Sequence, residues 1–489
     1  MGVIFDKYTP PPVDEKKVDV IVGLFYDGTS NNRKNIEGKR KWPTIKGSGW
    51  DSDSGSNTSF GNDYSNVDKL EKAYPKEPKY FSVYLEGIGT KNPDDEKDSS
   101  SYYGDFTYGQ GYGTGETGLF EKVEKGCKDL AAELKKRVPE KIDLLTIDVF
   151  GFSRGAAAAR MFVNEVWKRK RTNESFNYGL LGKAFADAKV KEPEYLKIRF
   201  IGIYDTVSSF GKDGNVYNDA DENVLLSLSG RFDFVAHLTA EDEHRQKFPL
   251  TNIASAAGEH KELTLPGVHS DIGGGYKNLL NDTSDKGEVA ILTERRHSIA
   301  FEKNRVLSQG WYKPEQLTSG LLGEYLKGTR KNLSNEYTLI VLHLMAEFGK
   351  RKFNIPWLYD KVLNADYKIP EKLNDLKTRI DDYAFNEKPK LLFYTNAELV
   401  EKKKLLDNKS LTVDKYNIMV NDHNMLLWLR NQYLHSSASM DGVGMEPLIK
   451  NESNSDYEAY LKKKKGATKT NQPTDTSHAT IWERVIIDG

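Results

Sequence analysis

The sequence predicts an α/β fold, a mainly parallel sheet flanked by helices with a largely helical C-terminal region behind it. Three observations carry that prediction. β-rich apolar runs recur at 18–29, 79–90, 141–150, 196–207 and 251–260, and helical spacing fills 66–75, 119–138 and 155–171 between several of them. Strands that alternate with helices imply parallel pairing under helices on both faces, since each crossover returns the chain to the same end of the sheet. From about residue 285 to about 435 the pattern turns helical and charged. The length of 489 residues allows two units. We divide it into a core over 15–285, with polar insertions at 33–65 and 94–106, and a mostly helical part over 286–489 that packs on the core.

Taken in order, VDVIVGLFYDGT (18–29) reads as a buried strand ending in a turn. Residues 33–65, rich in Gly, Ser, Asn, Asp and Lys, read as a long mobile loop. NVDKLEKAYP (66–75) has helical spacing with a proline stop, and KYFSVYLEGIGT (79–90) is a strand running into glycines. A polar excursion (94–106) and GYGTGETG (111–118) precede a helix over 119–138, whose apolar positions are Leu119, Val123, Leu130 and Leu134. KIDLLTIDVF (141–150) is a strand, and GAAAARMFVNEVWKRKR (155–171) a helix whose basic end suits the dipole. LKIRFIGIYDTV (196–207) and TNIASAAGEH (251–260) complete the strands. The apolar run at 337–348 is far shorter than the roughly 20 residues a membrane span needs. The low-complexity stretch 462–477 reads as a loop or arm, its lysines solvated.

Composition removes several function classes. A formal charge of −1 gives no pull towards nucleic acid. The single cysteine, Cys127, excludes internal disulfides and cysteine-rich zinc sites, and fits synthesis in a reducing compartment. The N-terminal MGVIFDKYTPPPVDEKK lacks the basic and apolar regions of a Sec signal, and Asp6 stands where myristoylation wants Ser or Thr. The expectation is a protein made in the cytoplasm; any export needs another route.

The stretch LLTIDVFGFSRGAAAAR (144–160) concentrates the chemistry. A GxSxG pattern alone is weak, but here a strand runs into Gly151, Ser153 and Gly155 and then into four alanines. That is what a nucleophile elbow requires: a sharp turn presenting the serine, flanked by small residues where strand and helix backbones approach. The Arg154 N–H at the helix start would face a developing oxyanion. The alternative is an idle serine in a glycine turn.

A serine needs a base, and the base needs an orienting carboxylate. Asp205 lies at the C-terminal end of an apolar strand, where a parallel sheet presents its functional groups. His269, in LPGVHSDIGGGY, sits in a turn-rich segment whose glycines let backbone approach a ligand. His237 and His244 have helical neighbours and are expected to pack or to pair with Glu241 and Asp242. His435 belongs to the far C-terminal region. Asp271 is the second carboxylate candidate, better suited to stabilising its own turn. FYDGTSNN (25–32) resembles the DxDGT nucleophile motif of haloacid dehalogenase-type phosphatases, but Phe25 stands where the attacking aspartate belongs. Asp27, Gly28 and Thr29 are instead candidates for the second oxyanion loop, with Asp27 fixing the turn.

Seven motifs in order, FYDGTSNN, SNVDKL, YLEGIGT, GFSRGAAAAR, GIYDTVSSFG, AEDEHRQKF and LPGVHSDIGGGY, resemble the first family of bacterial type VI secretion lipase effectors. The resemblance spans roughly 18–280 and, more loosely, YLHSSAS (433–439). It implies an α/β-hydrolase-like fold and a phospholipase A injected into rival bacteria, acting in the periplasm on membrane glycerophospholipids. It carries the nucleophile to Ser153, the acid to Asp205 and the base to His269. It further implies an immunity protein, docking on a spike protein, and no metal or cofactor. A membrane- or spike-docking part would lie in 286–489. A soluble esterase acting on a non-lipid ester would use the same three residues.

Overall fold

The computed structural model describes residues 17–45, 59–170, 176–211, 224–230, 232–280, 286–294, 299–320, 323–441, 445–448, 468–471 and 483–489. Strand β1 (Asp19–Tyr26) leads through α1 (Arg33–Lys41) and α2 (Asn66–Ala73) to β2 (Tyr80–Leu85). Helices α3 (Thr107–Tyr112) and α4 (Leu119–Arg137) precede β3 (Leu144–Phe152); α5 (Arg154–Val166) and α6 (Gly179–Ala188) precede β4 (Tyr195–Tyr204). Then come β5 (Phe232–Ala240), the two-residue β6 (Leu250–Thr251), β7 (Glu259–Leu265) and the short α7 (His269–Gly273).

Strands β2-β1-β3-β4-β5-β7, in that order, form one six-stranded sheet in which every pairing is parallel. The order reverses beside β1, so the C-terminal ends of β1, β3 and β4 open on a shared crevice. Because side chains alternate across a strand, β1 sends Val20, Val22 and Leu24 to one face and Phe25 to the other, all fully buried. Each such burial contributes about 1.5–3 kcal/mol. On the first face α4 presents Leu119, Val123, Cys127, Leu130 and Leu134 at helical spacing. Ala156 to Ala159 of α5 are wholly buried there and let that helix lie close to the sheet.

The other face is covered by α2 and the C-terminal part of the chain. That part contains β8 (Glu288–Thr293), α8 (Ile299–Ser308), β9 (Leu317–Ser319), β10 (Leu326–Arg330) and α9 (Tyr337–Phe353). Helices α10 (Asn374–Phe385), α11 (Asn396–Asp407) and α12 (Val413–Gln432) follow, then β11 (Thr468–Asn471) and β12 (Glu483–Ile487). Residues of α9, α10 and α12 share one apolar cluster with Phe150, Phe200 and Phe234 of the sheet. Strands β8-β10-β9 make a small antiparallel sheet, and β12 pairs antiparallel with β11 and parallel with β6 in a mixed one.

Several local expectations change. Residues 33–41 are helix α1, not loop, because Asn32 caps its first turn by accepting from the Lys34 and Asn35 N–H groups. The predicted strand at 251–260 is two short pieces: β6 ends at Thr251, and β7 begins at Glu259. The surroundings of His237 are strand β5 rather than helix. Helix α5 stops at Val166, before its basic residues, so the dipole argument for them falls away. Within the arm at 462–477, Thr468–Asn471 pair with β12; the rest of it, and the loop residues 46–58, lie outside the described residues. Among the described residues no helix is long and apolar enough to cross a membrane.

Candidate active site

Ser153 stands at the junction of β3 and α5 with φ 59° and ψ −129°. For a residue with a Cβ this is a strained backbone, of the kind held only where neighbours over-determine it. They do so here. The Ser153 N–H donates to Tyr204 O at 3.0 Å, and its carbonyl accepts from the Ala156 and Ala157 N–H groups at 3.0 and 3.3 Å. A Cβ on Gly155 would stand 2.2 Å from Asp27 O and 2.4 Å from Tyr26 O. Only glycine lets the start of α5 rest against the end of β1.

Phe152 wedges the site together. Its ring occupies the space where a Cβ on Gly28 or Gly273 would fall, at 2.3 and 2.0 Å from ring carbons. The His269 imidazole packs on the same ring, with centroids 4.6 Å apart. Three sequence motifs (DGT, GFSRG and HSDIGGG) therefore meet at one aromatic side chain, and the imidazole lies beside the elbow.

One nitrogen of that imidazole is held by a carboxylate. His269 Nδ1 is 2.6 Å from Asp205 Oδ2. Asp205 is wholly buried just beyond β4, with φ +40°, and its Oδ1 accepts the Ala240 N–H at 2.9 Å. Arg484, on β12, donates to both oxygens of the same carboxylate, at 2.8 and 2.7 Å. Burial alone would raise this carboxyl, but the Arg484 ion pair and then His269 hold it well below the usual carboxylate range. His269 is itself pushed below the ordinary imidazole value by burial, against the opposing pull of Asp205. The pair is thus an ionised carboxylate and an imidazole biased towards neutrality, the states a general base and its orienting acid require.

Behind the pair lies a buried polar scaffold. Glu243 Oε2 accepts the His269 N–H at 3.2 Å and the Ser437 hydroxyl at 2.9 Å, and Arg245 pairs with the same carboxylate. Burial would raise Glu243, but Arg245 brings it down to about 2. Asp271 accepts the Val268 N–H at 3.0 Å, fixing its turn as expected, and also takes His435 Nδ1 at 2.7 Å. His435, set aside on sequence position, is brought by the fold onto Asp271, two residues from His269. His237 Nδ1 pairs with Glu262 at 2.8 Å rather than with Glu241 or Asp242, and its Nε2 accepts the Thr206 N–H at 3.1 Å. His244 is pushed down to about 3, chiefly by burial and then by Arg305.

The DGT loop is fixed in the expected way, with one change. Asp27 accepts from the Gly28 N–H at 2.7 Å, the Ser65 hydroxyl at 2.5 Å and the Tyr84 hydroxyl at 2.6 Å. Burial still pushes it up to about 6. The Asp27 and Gly28 N–H groups are thereby occupied, by Leu85 O and by the Asp27 carboxylate. Among the described residues the Thr29 and Arg154 N–H groups have no hydrogen-bond acceptor. The Arg154 side chain turns back to Thr29 Oγ1 at 2.9 Å and to the carbonyls of Gly109 and Gln110, tying α3 to the elbow.

Sequence reasoning missed Glu243, and Arg484 altogether. Glu243 had a signal, its place in AEDEHRQKF; Arg484 had none, since nothing around it distinguishes one more basic residue near a polar arm.

Residues 164–292 match a family model described as the catalytic domain of Tle1-like phospholipase effectors of type VI secretion. The matched stretch holds Asp205 and His269 and begins after Ser153. It agrees with the resemblance carried by the motifs, and makes this stretch similar to the catalytic domain of phospholipase effectors. A solved structure of the Tle1 effector bound to the VgrG spike of the type 6 secretion system is similar over 87% of this chain and 85% of that one. Its TM-score is 0.55 at 19% identity, a likeness of fold. An uncharacterized protein from Pseudomonas aeruginosa aligns over 85% of this chain and 64% of its own, at 17% identity and a TM-score of 0.36, too low to argue from. No curated protein matches the sequence.

Proposed function

We propose that this chain is a serine phospholipase A that cleaves fatty-acyl esters of membrane glycerophospholipids, delivered into rival bacteria as a type VI secretion toxin. The observation that carries the reading is the His269–Asp205 hydrogen bond of 2.6 Å beside the strained Ser153. His269 Nε2 takes the Ser153 hydroxyl proton as Oγ attacks the acyl carbonyl carbon. Asp205 holds the imidazole by Nδ1 and stabilises the imidazolium. The oxyanion is received by the Arg154 N–H and, from the expected loop 27–29, by the Thr29 N–H. His269 returns the proton to the departing glycerol oxygen. Water then releases the fatty acid through the same relay.

In this reading residues 15–285 supply the chemistry, and 286–489 would meet the bilayer or the spike. Support for a bilayer contact comes from α11 and α12, where Val400, Val413 and Ile418 are exposed among lysines. A spike partner is supported by the likeness to the spike-bound Tle1 effector. An immunity protein and action in the periplasm follow from the family resemblance.

The test is phospholipid hydrolysis on vesicles together with labelling by a fluorophosphonate. Wild type should label at Ser153 and release fatty acid, with a rise in rate when substrate passes from monomers to bilayers. Ser153→Ala should lose about 10³-fold or more and should not label. Near-normal vesicle hydrolysis by that variant sinks the reading, and an unchanged rate across the micellar transition leaves a soluble esterase in its place.

A further inference from the structure

The contact between Arg484 and Asp205 points to more than packing. We infer that Arg484 is a positioning residue for the relay, a guanidinium fork that fixes the plane of the Asp205 carboxylate and keeps the neighbouring imidazole neutral. The inference rests on the serine-hydrolase reading above.

The geometry is that of a dedicated clamp. Arg484 is 279 residues from Asp205 in the chain, yet its two terminal nitrogens reach one oxygen each at 2.8 and 2.7 Å. Two further donors go to the walls of the same site, Nη1 to Ala240 O at 3.0 Å and Nε to Phe248 O at 3.1 Å. It is 3% exposed and Asp205 0%. A planar fork dictates where both carboxylate oxygens lie, which an ammonium cannot do. With Oδ1 held by Arg484 and the Ala240 N–H, only Oδ2 is presented to His269.

The clamp is itself anchored to the loop that carries the acid. Strand β12 runs parallel to β6 through Ile486↔Leu250 and Ile487↔Thr251. Thr251 in turn donates its N–H to Thr206 O at 2.9 Å, one residue beyond Asp205. Phe248, whose carbonyl Arg484 also holds, packs its ring edge-on against His269 with centroids 5.1 Å apart.

Charge bookkeeping gives the second consequence. The groups facing the imidazole are Asp205 and Glu243, each with its own guanidinium, Arg484 and Arg245, while Asp271 is engaged by His435. Without Arg484, the uncompensated Asp205 would draw a proton onto His269. The imidazolium would then persist to higher pH, where the base is needed neutral.

The experiment measures kcat/KM against pH for soluble p-nitrophenyl butyrate, with the full chain as wild type, Arg484→Met, Arg484→Lys and Ser153→Ala. The wild-type acid limb should fall below pH 6.5, the ordinary imidazole value. R484M should lose on the order of 10²-fold in kcat with KM little changed, and its limb should move up by about one pH unit. R484K, which keeps the charge without the fork, should lose kcat but leave the limb in place. Wild-type behaviour of R484M overturns the inference. So does a loss shared equally by R484M and R484K with no movement of the limb, the mark of packing alone. Should R484M fail to fold, R484K decides, because wild-type kcat in that variant excludes a role for the fork. Activity surviving in S153A would instead remove the underlying serine chemistry, whatever residue 484 does.

Discussion

The two halves of the site are built in opposite ways. The half around Ser153 is local: strand β3, the turn at Ser153 and helix α5 are consecutive in sequence, and the strain is held by glycines and alanines around it. The half around Asp205 and His269 is assembled from segments far apart. Asp205 and His269 are 64 residues apart, Glu243 reaches Ser437 across 194, and Asp205 reaches Arg484 across 279. A nucleophile needs one backbone geometry, which a short motif can encode. A buried carboxylate and imidazole need compensating charges and hydrogen bonds on every side, and no single segment supplies that many.

The comparison predicts different failures for the two halves. The largest effect should come from Asp205→Asn, which keeps the shape but favours the wrong imidazole tautomer. We expect a loss of about 10⁴-fold in kcat, read by steady-state hydrolysis and by slowed fluorophosphonate labelling. A loss below tenfold would detach this half from the chemistry. In the local half, Gly155→Ala should cost about 1–3 kcal/mol in a denaturant titration, because its Cβ meets the carbonyl oxygens of Asp27 and Tyr26, which are backbone and cannot turn aside. Unchanged stability would mean the elbow is less closely packed than the distances require. The smallest effect should come from Ser437→Ala. Glu243 keeps Arg245 and the His269 N–H, so stability should fall by about 1 kcal/mol and activity by less than tenfold. A loss as large as that of D205N would make the scaffold inseparable from the relay.

How much was legible follows from the same division. Gly151, Ser153, Gly155 and the alanine run announce an elbow because strand, turn and helix chemistry coincide in one window. Asp205 was legible from its place at the end of an apolar strand, and His269 from its glycine-rich turn. His435 was not, because its place in YLHSSAS says nothing of its partner; only the packing of the segment after α12 against α7 brings it onto Asp271. Strand β5 was obscured because His237 and Thr239 face a buried polar network, which interrupts the apolar run by which a strand is recognised. Helix α1 was hidden by its polar composition, and is held by the Asn32 cap and by packing of Asn35 and Ile36.

The sequence by itself determined the alternation of strands and helices, the parallel sheet that follows from it and the sharp turn at Ser153, because each depends on residues within a few positions of one another. Only the tertiary structure decided which N–H groups remain for an oxyanion, and which cations and carboxylates surround the imidazole. Those depend on burial and on distances between segments. A guanidinium such as that of Arg484 acquires its meaning only when the fold removes water from between it and Asp205.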